Sequence, residues 1–301
     1  MKQSISALAF VAGLAGLVMA SMAQAQERSA PRFSDQDSLL QPVPRKDGDP
    51  QSNPLEPSPQ PKPQLTRPAP PSILAILAHP DDEITFAPVL SAIARDGGEV
   101  TLVFATSGDV GPGLSGLEPG ERLARRRERE GRCAAFALGL EEPVFWQLGD
   151  GKLGTMARAP DSPAMRTLTL VEAAITEAKP DVIVTWGPDG GYGHADHRMI
   201  SALVTQVMAR KGPGRPDLLY AAFPQDAEGV LPGFEGWATT DPSLITDRIR
   251  YDPADLEATQ TALQCYESQF PPAVRDQLVG LLHSQVWRGT IQFRSAFPAD
   301  E

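Results

Sequence analysis

The stretch "ILAILAHPDDEITFAPVLSAIARDGGEVTLVFAT" (Ile73–Thr106) decides the fold. It opens on an apolar run that is too short for a buried helix of usual length. "PVLSAIARDGG" follows, with apolar residues at helical spacing and a glycine stop. "EVTLVFAT" (Glu99–Thr106) is a second strand. The same alternation continues outward. A charged segment from Glu118 to Arg132 runs on through "CAAFALGL" as one helix, and "PVFWQL" (Pro143–Leu148) is the third strand. "MRTLTLVEAAITEAKP" is a helix, "DVIVTW" (Asp181–Trp186) a strand, "HRMISALVTQVMARKG" a helix and "DLLYAAF" (Asp217–Phe223) a fifth strand. Solidly apolar strands alternating with helices predict an α/β domain whose mostly parallel sheet is covered on both faces. Two further helices are expected in the tail, in "PADLEATQTALQCYESQF" and "VRDQLVGLLHSQVWRG". Residues Pro224 to Arg250 are rich in glycine and proline and are expected to form loops or short strands near the site mouth.

Ahead of this domain the composition changes twice. Met1-Lys2, an apolar run from Ile5 to Ala20 and "AQA" (Ala23–Ala25) predict a signal peptide over residues 1–25. Residues 26–71 hold 12 of the 30 prolines and predict an extended, mobile tether. The domain then occupies 72–301. An exported chain is expected, secreted or periplasmic, with no transmembrane span left after cleavage. The formal charge of −11 argues against a nucleic-acid partner, which needs a basic patch. Cys133 and Cys265 both fall in helical segments. A disulfide is possible in such a compartment but not implied, and buried free thiols are the expectation.

Three of the four histidines fall in two short clusters, His79 in "HPDDE" and His194 with His197 in "GYGHADHR". Both clusters follow predicted strands, and ligands in open parallel sheets sit beyond the carboxyl ends of the strands. A catalytic zinc takes three protein ligands and keeps one position for water. His79, one of Asp81 or Asp82, and one of His194 or His197 satisfy that count. The neighbouring aspartate can take a proton as general base. The spare histidine can protonate a leaving group or stabilise an oxyanion. His283 lies in the helical tail and is expected to be structural. Glu83 is expected to start the following helix, where its charge suits the dipole.

"AHPDDE" followed about 110 residues later by "DGGYGHADH" resembles the LmbE-like, or PIG-L, family of metal-dependent deacetylases. "ATSGDVG", the arginine-rich helix ending "ALGL", "FWQLGDGKL" and "ALQCYESQF" extend the resemblance over roughly Ile73 to Phe293. The resemblance implies a Rossmann-like three-layer sandwich and removal of an N-acetyl group from N-acetylglucosamine units, in glycolipids or low-molecular-weight thiol precursors. It implies His79, Asp82 and His197 as metal ligands, with Zn2+ as the default and Fe2+, Co2+ or Mn2+ also fitting. Asp81 would be the general base, and His194 a general acid or oxyanion stabiliser. Asp196 would orient or tune His194, and Tyr192 would lie over the acyl group. Arg127 and Asp150 would contact substrate. Two positions depart from the pattern: Ala195 replaces a common Pro, and Tyr266 stands near a common His. An exported member is expected to meet an N-acylated sugar or envelope glycan. Two rivals differ in class. A binding protein that has lost turnover would be marked by loss of Asp81 or His194, and both are present. A non-haem iron oxidoreductase would need a basic anchor for an oxo acid, and the paired aspartates favour hydrolysis.

Overall fold

The computed structural model describes residues 69–227 and 236–297. The expected signal peptide, and all of the expected tether up to residue 68, lie outside the described residues. β1 (Ile73–Leu77) is buried at all five positions. It pairs in parallel with β2 (Val100–Phe104) on one side and β4 (Val182–Thr185) on the other. β3 (Val144–Phe145) extends the sheet beyond β2, and β5 (Asp217–Ala222) extends it beyond β4. Central strands buried on both faces need apolar side chains at every position, which is why β1 reads as a run rather than an alternation.

The helices are α1 (Ala87–Arg95), α2 (Glu121–Ala137), α3 (Pro163–Ala178), α4 (Ala195–Ala209), α5 (Pro253–Gln264) and α6 (Pro272–Leu281). α5 packs on α1, α2 and α6, while α3 packs on α4. These two groups flank the sheet. Ser162 caps α3, its hydroxyl accepting the Met165 N–H at 3.2 Å. A single-turn 3-10 segment (Asp82–Thr85) links β1 to α1. Glu83 therefore lies in this turn, fully buried, and not in the helix it was expected to start.

The strand order is β3-β2-β1-β4-β5-β7-β6. From β1 the chain builds outward through β2 and β3, then returns to lay β4 against the other side of β1. This reversal is a topological switch point, where such sheets open a crevice. β6 (Asp247–Arg250) and β7 (Thr290–Ser295) are antiparallel additions at the β5 edge, and β7 was not foreseen. β3 is shorter than expected because Gln147 takes a left-handed φ of 55°, which breaks the extended geometry although Trp146 and Leu148 still donate to Phe104 O and Ala105 O. The thiol expectation is also corrected. Cys133 is exposed, Cys265 is half-buried, and they form a disulfide with a Cα–Cα distance of 5.8 Å. That bond ties α2 to the end of α5.

Candidate metal centre and catalytic site

The turn after β1 and the loop after β4 meet at the switch point. Asp82 is the hinge of the arrangement. Its Oδ2 accepts hydrogen bonds from the Ala78 and His79 N–H groups, at 3.0 and 2.9 Å, and from Trp186 Nε1 at 3.0 Å. Its Oδ1 is left facing His197 Nε2 at 3.1 Å. His79 Nδ1 lies 3.2 Å from the same His197 nitrogen. Each imidazole has its other nitrogen engaged. His197 Nδ1 donates to Gly190 O at 3.2 Å, and His79 Nε2 meets Asp150 Oδ1 at 3.1 Å and Asp196 Oδ2 at 3.4 Å. Those partners leave His79 Nδ1 and Asp82 Oδ1 both turned to His197 Nε2, and these three atoms are the candidate ligand atoms. Bonds of about 2.1 Å to a tetrahedral ion put its ligand atoms about 3.4 Å apart. The 3.1 and 3.2 Å from His197 Nε2 to Asp82 Oδ1 and His79 Nδ1 are close to that, and His79 Nδ1 lies 3.9 Å from Asp82 Oδ2. Imidazoles oriented by carboxylates and carbonyls are the usual outer support of a metal site. The donor set therefore fits a divalent cation.

The field around these atoms is anionic. Burial would lower the His79 pKa, but hydrogen bonds to Asp150, Asp196 and Asp82 hold it well above the usual value. Burial works against the Asp82 charge, and His197 and His79 hold its carboxyl well below the usual range. Asp150 is also held low, the hydrogen bond and charge of His79 outweighing burial.

Asp81 has the opposite balance. Burial pushes its carboxyl up to about 7 against the charge of Arg127, whose Nη2 donates to Asp81 Oδ2 at 2.8 Å. Its backbone is strained, with φ 110°. The side chain keeps 21% exposure, so it borders the crevice. His194 caps α4 and accepts the Asp196 N–H on Nδ1 at 3.2 Å, which leaves an Nε2–H donor. Burial, together with the charges of His79 and His197, lowers it to about 4, so it is neutral at pH 7. Its ring meets His79 edge-on at 4.7 Å. Tyr192 is half-exposed, 5.1 Å from the His197 ring and 5.2 Å from Trp237.

All nine residues singled out in the sequence converge here, but three point differently from expectation. The Asp196 carboxylate does not bond His194. It accepts the Gly151 and Leu153 N–H groups at 2.6 and 3.2 Å and faces His79, so only its charge tunes His194. Asp150 spends its oxygens on His79 and the Val110 N–H, at 3.1 and 3.3 Å, not on open crevice. Arg127 is the buried arginine of its run, while Arg125 pairs with Glu121 and Arg126 with Glu130 and Glu267. Yet Arg127 gives its donors to Asp81, Pro80 O and Gly108 O instead of the crevice. Side-chain direction is a tertiary property that spacing does not carry. Trp186 was missed. A strand-end tryptophan needs a partner for its indole N–H once buried, and that requirement was the available signal. His283 sits away from the site, bonded to Tyr251 OH at 2.8 Å.

Residues 74–208 match the family described as PIG-L, GlcNAc-PI de-N-acetylase. A 1D-myo-inositol 2-acetamido-2-deoxy-alpha-D-glucopyranoside deacetylase of Mycobacterium sp. (strain KMS) is 30% identical over 242 residues, 70% of this chain and 78% of that one. The chain belongs to the PIG-L family. PIG-L proteins of this kind are amide hydrolases, and the site above lies in the matched segment. Solved structures agree on the fold. N,N'-diacetylchitobiose deacetylase from Pyrococcus horikoshii superposes with a TM-score of 0.54 at 19% identity, covering 74% of this chain and 83% of that one. The 4-carboxy-2-hydroxymuconate hydratase of Pseudomonas putida KT2440 does so at 0.55 and 18%, covering 77% and 98%. One fold therefore carries both a deacetylase and a hydratase, so fold alone does not choose the reaction.

Proposed function

We propose that the chain is an exported metal-dependent deacetylase that frees the amine of an N-acetylglucosamine unit in a small glycan or envelope saccharide. The observation that carries this reading is the split use of the Asp82 carboxylate. One oxygen is saturated by three N–H donors, and the other faces His197 Nε2, the same nitrogen that His79 Nδ1 meets. Two imidazoles and one carboxylate suit zinc. A bound cation supplies Lewis-acid polarisation of the amide carbonyl and eases loss of a proton from water.

The remaining work falls to the chain's own side chains. Asp81, poised at about 7, accepts the proton of the attacking water and can return it to the departing amine. Arg127 fixes the rotamer of that carboxylate. Neutral His194 offers its Nε2–H to the developing oxyanion, which favours stabiliser over acid among its two expected roles. The Tyr192 hydroxyl stands at the rim of the same crevice as a second donor. Asp150 and Asp196 hold His79 in its ligand tautomer.

Two independent features support export. Residues 1–25 read as a signal peptide, and the Cys133–Cys265 bond is of a kind that persists in oxidising compartments. Among the described residues no helix is long and apolar enough to cross a membrane. The test is zinc-reconstituted protein assayed against N-acetylglucosaminyl inositol, diacetylchitobiose and envelope glycan fragments, with free amine as readout. Amine from at least one is expected. No amine from any, at full metal content, would refute the reading.

A further inference from the structure

Glu83 and Tyr266 have no part in the chemistry above, yet both are fully buried beside it. Tyr266 OH donates to Glu83 Oε1 at 2.5 Å, and Glu83 Oε2 accepts the Asp81 N–H at 3.1 Å. On the other side of the same peptide unit, Pro80 O accepts from Arg127 Nη2 at 2.6 Å. The peptide between Pro80 and Asp81 is thus gripped at its carbonyl by a cation and at its amide by an oxygen of the Glu83 carboxyl, which burial pushes up to about 8. Rotation of that plane changes the ψ of Pro80 and the φ of Asp81 together, and that φ stands at 110°. A non-glycine residue keeps such a value only when its surroundings over-determine it.

The tyrosine is itself fixed from both sides. Cys265, its neighbour, is bonded to Cys133 of α2. Two residues on, Ser268 gives its N–H and its hydroxyl to the two Glu130 oxygens of the same helix, at 3.0 and 2.5 Å. Tyr266 therefore reaches the turn from a segment stapled to α2, the helix that also carries Arg127.

We propose that Glu83 and Tyr266 are positioning residues for Asp81. The tail segment 265–268 acts as a brace that holds the catalytic carboxylate in its strained, productive orientation through the Asp81 amide. The proposal rests on the reading of Asp81 as the base. It predicts a specific division of kinetic effects, because the brace touches the base and neither the substrate nor the cation.

The test uses the full zinc-loaded chain carrying Glu83→Ala, Glu83→Gln, Tyr266→Phe or Asp81→Asn. Misplacing a reacting group by about 1 Å costs on the order of 100-fold in rate. Glu83→Ala is expected to lose about that factor in kcat, with KM and zinc content unchanged. Glu83→Gln keeps an acceptor for the Asp81 N–H and is expected to recover about 10 of those 100-fold. Tyr266→Phe, the mildest change to the fold, is expected to lower kcat about 10-fold at constant KM and zinc content. Wild-type kcat in Tyr266→Phe together with an inactive Asp81→Asn overturns the brace and leaves the base in place. Loss of zinc in step with kcat overturns it as well, since the pair would then be shaping the ligand turn. An active Asp81→Asn overturns the base reading itself, whatever the brace variants do.

Discussion

The turn after β1 and the loop after β4 each supply one half of the site, and they are built by opposite means. The turn Ala78–Phe86 contains no glycine and is locked by hydrogen bonds, three of them on one oxygen of Asp82. It tolerates a strained residue because so many contacts hold it. The loop Gly187–Gly193 carries four glycines and holds its shape through backbone freedom. Gly191 shows the need. It has φ 66°, and a Cβ there would stand 2.6 Å from the Trp186 ring. That close approach lets the loop lie against Trp186, which stacks on His197 at 4.4 Å. The stiff half carries two of the three candidate ligands and the candidate base, while the glycine-rich half carries the half-exposed Tyr192.

Substitutions on either side test this contrast. The largest effect is expected where the halves share one duty. Asp82→Ala from the turn and His197→Ala from the first turn of α4, just past the loop, should each abolish metal binding and turnover, as elemental analysis and amine release would show. Full zinc content in either variant would remove that residue from the ligand set. Asp81→Asn comes next, with kcat down about 100- to 10,000-fold and zinc retained. On the loop side, Tyr192→Phe should lower kcat by about 100-fold, the usual worth of an oxyanion donor, and unchanged kcat would leave the tyrosine a mere wall. Trp186→Phe keeps an aromatic ring, though a smaller one, but drops the donor to Asp82. About 10- to 100-fold weaker zinc affinity is expected, measured by chelator competition. The smallest effect is in pH dependence. Asp81 works as its carboxylate, so kcat/KM should rise through its pKa as pH increases, with a limb at about 7 or lower, because a bound cation favours the ionised form. With His194 lowered to about 4, it should contribute no limb near neutrality. A kcat/KM that shows no rise with pH anywhere below 8 would contradict the Asp81 assignment.

The parallel half of the molecule was legible because its physics is local. β1, β2, β4 and β5 are buried runs bounded by turn residues, and each was located to within two residues at either end. The two histidine clusters were legible for the same reason. Their adjacency was not, since it depends on β4 returning to pair with β1. β7 does show a period of two, with Ile291 and Phe293 buried, but it follows a helix at the end of the chain and is a strand only through partners far away. β6, "DRIR", has a single apolar residue to advertise itself. The disulfide spans 132 residues, and no local pattern announces such a pairing. Glu83 illustrates the remaining gap. A negative residue before a helix reads as a dipole partner, and only the arrival of Tyr266 from 183 residues away makes it a buried brace.

The antiparallel pair at the end of the sheet has one more consequence. An open parallel sheet ends in a row of unpaired backbone groups, a template on which another chain can add a strand. Here neither border invites that. β3 is two residues long, and outermost β6 carries Asp247, Arg248 and Arg250 along four residues. Short length protects one border and charge the other. The late strands thus make the sheet self-limiting, a safeguard against clumping.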